Sequence, residues 1–236
     1  MTLSRRISDF FFPRICPVCG GRLSLTEEIL CLECLLNLPR TKCYENPADN
    51  DVKNLFELQI PIERAVSFMR YLQGADSGNM VKAMKYVGGK TLAFKIGILL
   101  AEELSTENPG FFEGIDAIVP VPLTRSRKNE RGFNQAEMIA RGVAEVTGIC
   151  VDDKSVKRVH FIQSQTKLNY SHRVDNVKGA FECVMPERLK GKHLLIVDDI
   201  VTTGATILSL ADCVLEKTKD VTFSVLTVGI RKEMIL

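Results

Sequence analysis

Short apolar runs alternate along the chain with stretches in which hydrophobic positions recur at helical spacing. The uninterrupted run at 194–197 is typical of a strand buried on both faces of a parallel sheet. The same patterns predict further strands at 65–72, 115–121 and 221–228, and helices at 79–87, 92–104, 134–146 and after Gly204. Because strands alternate with helices, we expect an α/β fold with a parallel sheet flanked by helices and right-handed crossovers.

Two local signals refine these elements. Asn134 with Glu137 forms a capping pair for the helix at 134–146, and Gly148 is placed to end it. The segment 88–91 resembles the end of a Walker A loop, but Met84 stands where the first glycine is needed. We therefore interpret it as a break between two helices.

The segment 198–206 carries the strongest chemical signal. The carboxylates of Asp198 and Asp199 follow the buried strand, at the sheet edge where open α/β proteins bind ligands, and can accept hydrogen bonds from ribose hydroxyls. Backbone N–H groups and hydroxyls of the next turn, at the start of a helix, can surround a phosphate. That turn consists of Thr202, Thr203, Gly204, Ala205 and Thr206. The pattern predicts a site for a phosphorylated sugar; the simpler alternative, that the aspartates only cap the turn, does not explain the threonines and glycine.

Four of the eight cysteines are clustered near the start of the chain. Cys16, Cys19, Cys31 and Cys34 form two C-x2-C pairs, the spacing of a closed tetrahedral zinc site. Gly20 and Gly21 permit the left-handed backbone that such a knuckle needs. A redox C-x-x-C pair is the main alternative, and it would require a βαβ context. We expect a zinc-ribbon module with a polar linker at 1–50 and the α/β domain at 51–236.

Composition and charge narrow the function classes. With 45% hydrophobic and 25% charged residues the chain is ordinary globular material, and its apolar runs are far shorter than the roughly 20 residues that span a bilayer. We expect a cytoplasmic protein without stable membrane insertion, and the Phe10–Phe12 triplet packed against the main domain. The net charge of +2 hides two basic segments, 124–131 and 154–178. Both are expected to be loops that steer an anionic ligand to the sheet edge.

The segment 198–206 resembles the phosphoribosyl pyrophosphate (PRPP) motif of type I phosphoribosyltransferases. Val119–Leu123, Arg127 and Glu130–Gln135 are similar to the segment after the first core strand in the ComF family of competence-associated, phosphoribosyltransferase-like proteins. The resemblance covers nearly the whole chain, and the four-cysteine module is typical of the family. It implies a core of about five parallel strands. It also implies ligand residues outside the acidic motif: Ser126, Arg127 and Arg131 in or beside a pyrophosphate loop, and Gln165 and Arg173 in the family's mobile loop.

These features lead to three functional hypotheses. The first is Mg²⁺-dependent transfer of a phosphoribosyl group from PRPP to an unknown acceptor. In this hypothesis Asp198 and Asp199 bind the ribose and the magnesium ion, and the 161–176 segment closes over PRPP as a lid. The Zn²⁺ ion has a structural role only. The second is a PRPP sensor that contacts another protein, such as a DNA-uptake or helicase protein, through the ribbon. In the third, the ribbon and basic segments bind single-stranded DNA. A chain with four tyrosines and no tryptophan offers few stacking platforms, so such DNA binding would be weak and salt-sensitive.

Overall fold

A four-stranded parallel sheet forms the centre of the protein in the computed structural model, which describes residues 13–86, 88–159 and 179–231. The strands in chain order are β1 (Ile62–Tyr71), β2 (Ala117–Pro120), β3 (Val156–Arg158), β4 (Phe181–Cys183), β5 (His193–Val201) and β6 (Thr222–Arg231). The helices are α1 (Leu32–Asn37), α2 (Asp51–Asn54), α3 (Asp76–Ala83), α4 (Gly89–Glu107), α5 (Arg125–Arg131), α6 (Gln135–Thr147) and α7 (Ala205–Leu215).

The main sheet has the order β1-β6-β5-β2, and each of its pairs is parallel. Residues 194–197 of β5 are fully buried between β2 and β6, as a strand covered on both faces requires. The expected α/β class with a parallel sheet flanked by helices is therefore confirmed. About five parallel strands were expected, and the described residues form four in this sheet. Beside β2 they add only an isolated parallel bridge between Ile118 and Val151.

Strand β5 continues past the predicted apolar run to Val201. Asp198 and Ile200 keep their register with Thr227 and Gly229 of β6, so backbone pairing persists after the hydrophobic signal has ended. The acidic pair consequently lies within the last residues of strand β5 and not after the strand. This position holds the backbone of both aspartates rigidly at the carboxyl edge of the sheet.

The prediction that the basic segment 124–131 is a loop is wrong for most of its length, because residues 125–131 form α5. Thr124 caps this helix, since its Oγ1 accepts from the Arg127 amide at 3.3 Å, and arginine, lysine and glutamate have good helix propensity. In the second basic segment, β3 pairs with β4 in a small antiparallel ladder that the sequence patterns missed. Both ladder strands are only three residues long, too short for a periodicity signal.

Helix α6 is placed by a cap and by a close helix contact. Asn134 caps it as predicted, with Oδ1 accepting from the Ala136 amide at 3.2 Å, and Gly148 ends it. Glu137 does not complete a capping box; its carboxylate pairs with Arg141 at 2.9 Å. At Gly142 a Cβ atom would overlap the Phe94 carbonyl of α4, so glycine lets the two helices approach closely. The break between α3 and α4 lies at Gly88, in agreement with the helix-break interpretation.

The segment 44–54 is anchored to the sheet. Asn50 caps α2 and also donates from Nδ2 to the Ala65 carbonyl of β1 at 2.9 Å. Val52 and Phe56, which lie in and just after α2, are fully buried. Arg40 on the cysteine side reaches Glu103 of α4 at 2.8 Å. The part of the chain that the structure describes contains no helix both long and apolar enough to cross a bilayer.

Candidate functional site

A cavity of about 190 Å³ opens at the carboxyl edge of the sheet. Its charged walls come from separate parts of the chain: the turn after α3, helix α5, strand β3 and strand β5. The residues that line it are Lys85, Val121, Leu123, Arg127, Arg131, Asn134, Gln135, Ala136, Arg158, Asp198, Asp199, Ile200 and Thr206. Four cationic side chains thus share one cavity with two carboxylates, an arrangement suited to a ligand that carries both anionic groups and hydroxyls.

The acidic pair lines this cavity. Asp198 Oδ1 accepts from the Asp199 amide, and Asp199 Oδ1 accepts from the Ile200 amide, both at 2.8 Å. These bonds stay within the strand and do not involve the 202–206 turn. Lys85 Nζ lies 3.3 Å from Asp199 Oδ2. Each carboxylate therefore keeps acceptor capacity for a ligand hydroxyl.

The two carboxylates differ in electrostatic environment. Burial raises the pKa of Asp198 well above its usual range, and the adjacent Asp199 charge acts in the same direction. Arg158 opposes both effects on the Asp198 pKa. Asp199 has Lys85 as a direct ion-pair partner. The free cavity thus pairs a carboxylate that resists ionisation with one that has a cation beside it.

The threonine and glycine turn leads into α7. Gly204 has φ +79°, and a Cβ there would lie 2.8 Å from Cε1 of Phe56, so both backbone conformation and contact require glycine. Thr203 Oγ1 accepts from the Ala205 amide at 3.4 Å. Thr206 in the first turn of α7 lines the cavity, whereas Thr202 and Thr203 are exposed. Through Thr206, the amino terminus of α7 reaches the same cavity as the acidic pair.

Helix α5 supplies the cationic wall. Arg127 and Arg131 line the cavity, and Arg131 Nη1 donates to Gln135 Oε1 at 3.0 Å. Ser126 lies on the same helix but is exposed and is not among the cavity residues. Gln165, Arg173 and the expected lid at 161–176 lie outside the described residues, as does the Phe10–Phe12 triplet.

Among the cavity residues that the sequence analysis did not predict as site residues are Arg158, Gln135 and Lys85. Arg158 of β3 is brought beside Arg127 and Asp198, and burial together with the Arg127 charge lowers the pKa of its guanidinium while Asp198 opposes this. Its position in the basic segment was the available signal. Gln135 lies inside the segment that resembles the ComF family, but no pattern in the sequence indicated that its amide binds a ligand. Lys85 lies more than a hundred positions from Asp199 in sequence, and no local pattern connects the two.

The predicted cysteine cluster forms next to the α/β domain. The Sγ atoms of Cys16, Cys19, Cys31 and Cys34 all lie within 4.8 Å of one another. Cys19 and Cys31 have Sγ atoms 3.7 Å apart, close to the roughly 3.8 Å edge of a tetrahedron with zinc–sulfur bonds of about 2.3 Å. Cys31 also caps α1, because its Sγ accepts from the Cys34 amide at 3.5 Å. The cluster fits a closed site for a metal such as zinc.

The four thiols differ in their readiness to lose a proton. Burial alone would raise the pKa of Cys16, but backbone N–H groups of Cys19, Cys31 and Val18 outweigh it and lower the pKa to about 7. Burial and the neighbouring thiols raise the pKa of Cys34 far above its usual value. A cationic metal that binds all four sulfurs must therefore displace protons, which makes its affinity depend on pH.

No profile of a known protein family matches the chain. It is 30% identical over 207 residues to DNA utilization protein YhgH of Salmonella typhimurium, which covers 85% of this chain and 84% of that protein. It is 25% identical over 218 residues to competence protein ComFC of Bacillus subtilis, covering 90% of this chain and 76% of that protein.

Among solved structures, a glutamine PRPP amidotransferase from B. subtilis in complex with ADP and GMP gives a TM-score of 0.39 at 19% identity, covering 61% of this chain and 30% of that chain. The sequence relatives are the stronger finding, because the Salmonella protein aligns over most of both chains. The chain belongs to the ComF family of competence and DNA utilization proteins.

Proposed function

We propose that this protein binds PRPP together with Mg²⁺ and transfers its phosphoribosyl group to an acceptor, in the context of competence or DNA uptake. The observation that carries the proposal is the single cavity in which Asp198 and Asp199, the start of α7 and the arginines of α5 and β3 meet. PRPP presents a phosphate, a ribose diol and a pyrophosphate, and each of these groups has a chemically matched wall in this cavity.

The 5-phosphate is assigned to the turn 202–206, where the amino terminus of α7 supplies N–H donors and positive potential. The ribose hydroxyls donate to the carboxylates of Asp198 and Asp199. The pyrophosphate lies against Arg127, Arg131 and Arg158, whose guanidinium groups match phosphate oxygens. This order places the anomeric carbon between the acidic and the basic wall.

In the transfer step the acceptor forms a bond to the anomeric carbon, while the bond from that carbon to the pyrophosphate oxygen breaks and pyrophosphate leaves with the electron pair. The arginines neutralise the departing charge, and the carboxylates stabilise the positive charge that develops on the ribose ring. Asp198 and Asp199, together with phosphate oxygens, would hold Mg²⁺, because these are the ligands that the ion prefers, and it would add to the neutralisation of the pyrophosphate. No side chain needs to act as a nucleophile.

The cysteine cluster is proposed to hold one structural Zn²⁺. Four sulfur ligands leave no open coordination position, so the metal stabilises the module and does not take part in the transfer. A module of this size has little hydrophobic core of its own, which is the usual reason for such a metal site.

The transfer proposal is tested by incubating the protein with PRPP and Mg²⁺, with and without an extract of small metabolites, and measuring pyrophosphate. We expect extract-dependent pyrophosphate release that is lost when Asp198 and Asp199 are both replaced by asparagine. Tight PRPP binding without any release in the presence of the extract would contradict transfer and favour a sensor. Absence of PRPP binding would contradict both.

A second candidate function is single-stranded DNA binding. Arg125 and Lys128 of α5 are exposed and do not line the cavity, so this helix also presents basic side chains to solvent; Lys128 Nζ lies 3.5 Å from Glu137 Oε2. Relatives named for DNA utilization and competence make DNA a reasonable ligand to test. Its binding would depend on phosphate contacts and fall steeply with salt.

A further inference from the structure

Two neighbouring amide side chains at the start of α6 differ in how well they are satisfied. Asn134 is 6% exposed; its Oδ1 accepts from the Ala136 amide at 3.2 Å and its Nδ2 donates to the Val121 carbonyl at 2.9 Å. Gln135 is 2% exposed, and its Nε2 has no hydrogen-bond partner. One amide therefore serves the fold completely, whereas the other keeps an unused donor.

The orientation of the Gln135 amide is set by Arg131. A guanidinium has only donors, so the group that faces Arg131 Nη1 at 3.0 Å must be the carbonyl oxygen Oε1. The NH₂ group is consequently the end without a partner. It is also buried from solvent, so bulk water does not satisfy it, and a buried donor without a partner lowers stability. Such groups are rare in folded proteins, and a functional role is one of the explanations for them.

We propose that Gln135 is a ligand-binding residue whose Nε2 donates to a pyrophosphate oxygen of PRPP, with Arg131 as the residue that positions it. This inference rests on the proposed function. Gln135 lines the cavity and contacts Arg131, whose charge attracts phosphate oxygens. Because Nε2 and Oε1 share one carbon, an oxygen bound by Arg131 comes within reach of Nε2 after a small rotation of the side chain.

The neutral charge of the amide is significant at this position. Lys85, Arg127, Arg131 and Arg158 already face the cavity, and a further cation would add to their mutual repulsion when no ligand is bound. An amide adds a directed hydrogen bond without that penalty. Gln135 thus contributes more to fixing the position of the bound anion than to the electrostatic attraction between the anion and the cavity.

The test compares Gln135→Met with Thr218→Val. Methionine preserves size and removes the donor together with the oxygen that faces Arg131. Thr218 has another buried hydroxyl without a partner, but it does not line the cavity. Calorimetry with PRPP, pyrophosphate and ribose 5-phosphate, each with Mg²⁺, measures binding. We expect Gln135→Met to weaken PRPP and pyrophosphate about tenfold, the size of one net hydrogen bond, and to leave ribose 5-phosphate unchanged.

Stability separates a binding role from a structural role. The free Gln135→Met protein loses both the unsatisfied donor and the hydrogen bond from Arg131 to Oε1, two effects of opposite sign, so its melting temperature should stay close to that of the wild type. Thr218→Val removes only a hydroxyl without a partner, so it should melt at or above the wild-type temperature and leave all three affinities unchanged. If Gln135→Met does not fold, Gln135→Glu keeps the acceptor for Arg131 and replaces the donor by a negative charge; it should weaken pyrophosphate more than ribose 5-phosphate.

Unchanged PRPP affinity in both Gln135 variants would overturn the inference and leave the proposed function intact. Equal weakening of PRPP, pyrophosphate and ribose 5-phosphate would also overturn it, since that result indicates a general distortion of the cavity. Failure of the wild-type protein to bind PRPP would instead overturn the proposed function, and the inference with it.

Discussion

The cysteine cluster and the cavity are two candidate ligand sites built in opposite ways. All four thiols lie within residues 16–34, and two short knuckles bring them together. The charged residues of the cavity extend from Lys85 to Asp199 and meet only because the parallel sheet places their segments at one edge. The comparison shows that a site with local ligands can be predicted from spacing, whereas a site assembled by topology is predicted only where a motif is contiguous.

The largest effect is expected in the local site. Cys16→Ser removes one of four ligands and should abolish zinc binding, because a structural site of this type contributes on the order of 10 kcal/mol to the folding of its module. Metal analysis after expression with ample zinc should give one zinc per wild-type chain. Cys150→Ser is the matched control, since Cys150 is exposed and outside the cluster. A zinc-free wild type, or full zinc in the Cys16 variant, would contradict the assignment.

The next effect tests the contiguous part of the cavity. Asp198→Asn combined with Asp199→Asn should weaken PRPP binding about a hundredfold or more, because hydrogen bonds to charged groups contribute roughly 1.5 to 3 kcal/mol each. Circular dichroism should show an intact fold. Asp220→Asn, at an exposed turn with φ +60°, removes a carboxylate elsewhere and should bind normally. Calorimetry that gives the same affinity for the double variant and the wild type would refute the site.

The extent of sequence prediction follows the same division. The apolar run at 194–197, the acidic pair and Gly204 are adjacent, so their pattern located a central strand and predicted a candidate ligand site beside it. The pattern did not reveal that β5 continues to Val201, because that extension depends on backbone pairing with β6. It also could not show that Phe56, far away in sequence, packs so closely against Gly204 that a Cβ atom there would overlap its ring.

Residues contributed by other elements had weaker signals. Arg127 and Arg131 were predicted from a family-like segment, yet that segment was expected to be a loop and is mostly helix α5. Lys85 had no signal, since a lysine after a helix is usually a solvated charge. Its role beside Asp199 depends on a contact between elements that no spacing rule specifies.

DNA binding provides a smaller test of which basic residues are shared. Arg125→Gln with Lys128→Gln should weaken oligonucleotide binding and reduce its salt slope, by about one for each lost phosphate contact. PRPP affinity should remain unchanged, because neither residue lines the cavity. PRPP should compete with DNA if DNA also uses Arg127 and Arg131. Oligonucleotide that remains bound at saturating PRPP would place the DNA surface elsewhere, for example on the cysteine module.

The smallest effect distinguishes the two carboxylates in the free protein. Asp198→Asn keeps the shape of the side chain and removes a charge that burial and Asp199 both disfavour. Without PRPP or Mg²⁺ the variant should be more stable at pH 7 by about 1 kcal/mol at most, since the side chain is partly exposed. For a chain of this length that corresponds to a rise of roughly 2 to 4 °C in melting temperature.

The dependence on pH identifies the cause. The pKa of Asp198 is higher in the folded than in the unfolded protein. The contribution of Asp198 to the free energy of unfolding is therefore complete below the pKa of the unfolded protein, about 3.9, and is lost as the pH rises through the pKa of the folded protein. The advantage of Asp198→Asn should therefore grow as pH increases. Thermal unfolding at several pH values measures it, and Asp199→Asn, which loses its ion pair with Lys85, should show no such gain. An Asp198 variant less stable than the wild type at every pH would show that the cavity favours the ionised carboxylate even without ligand.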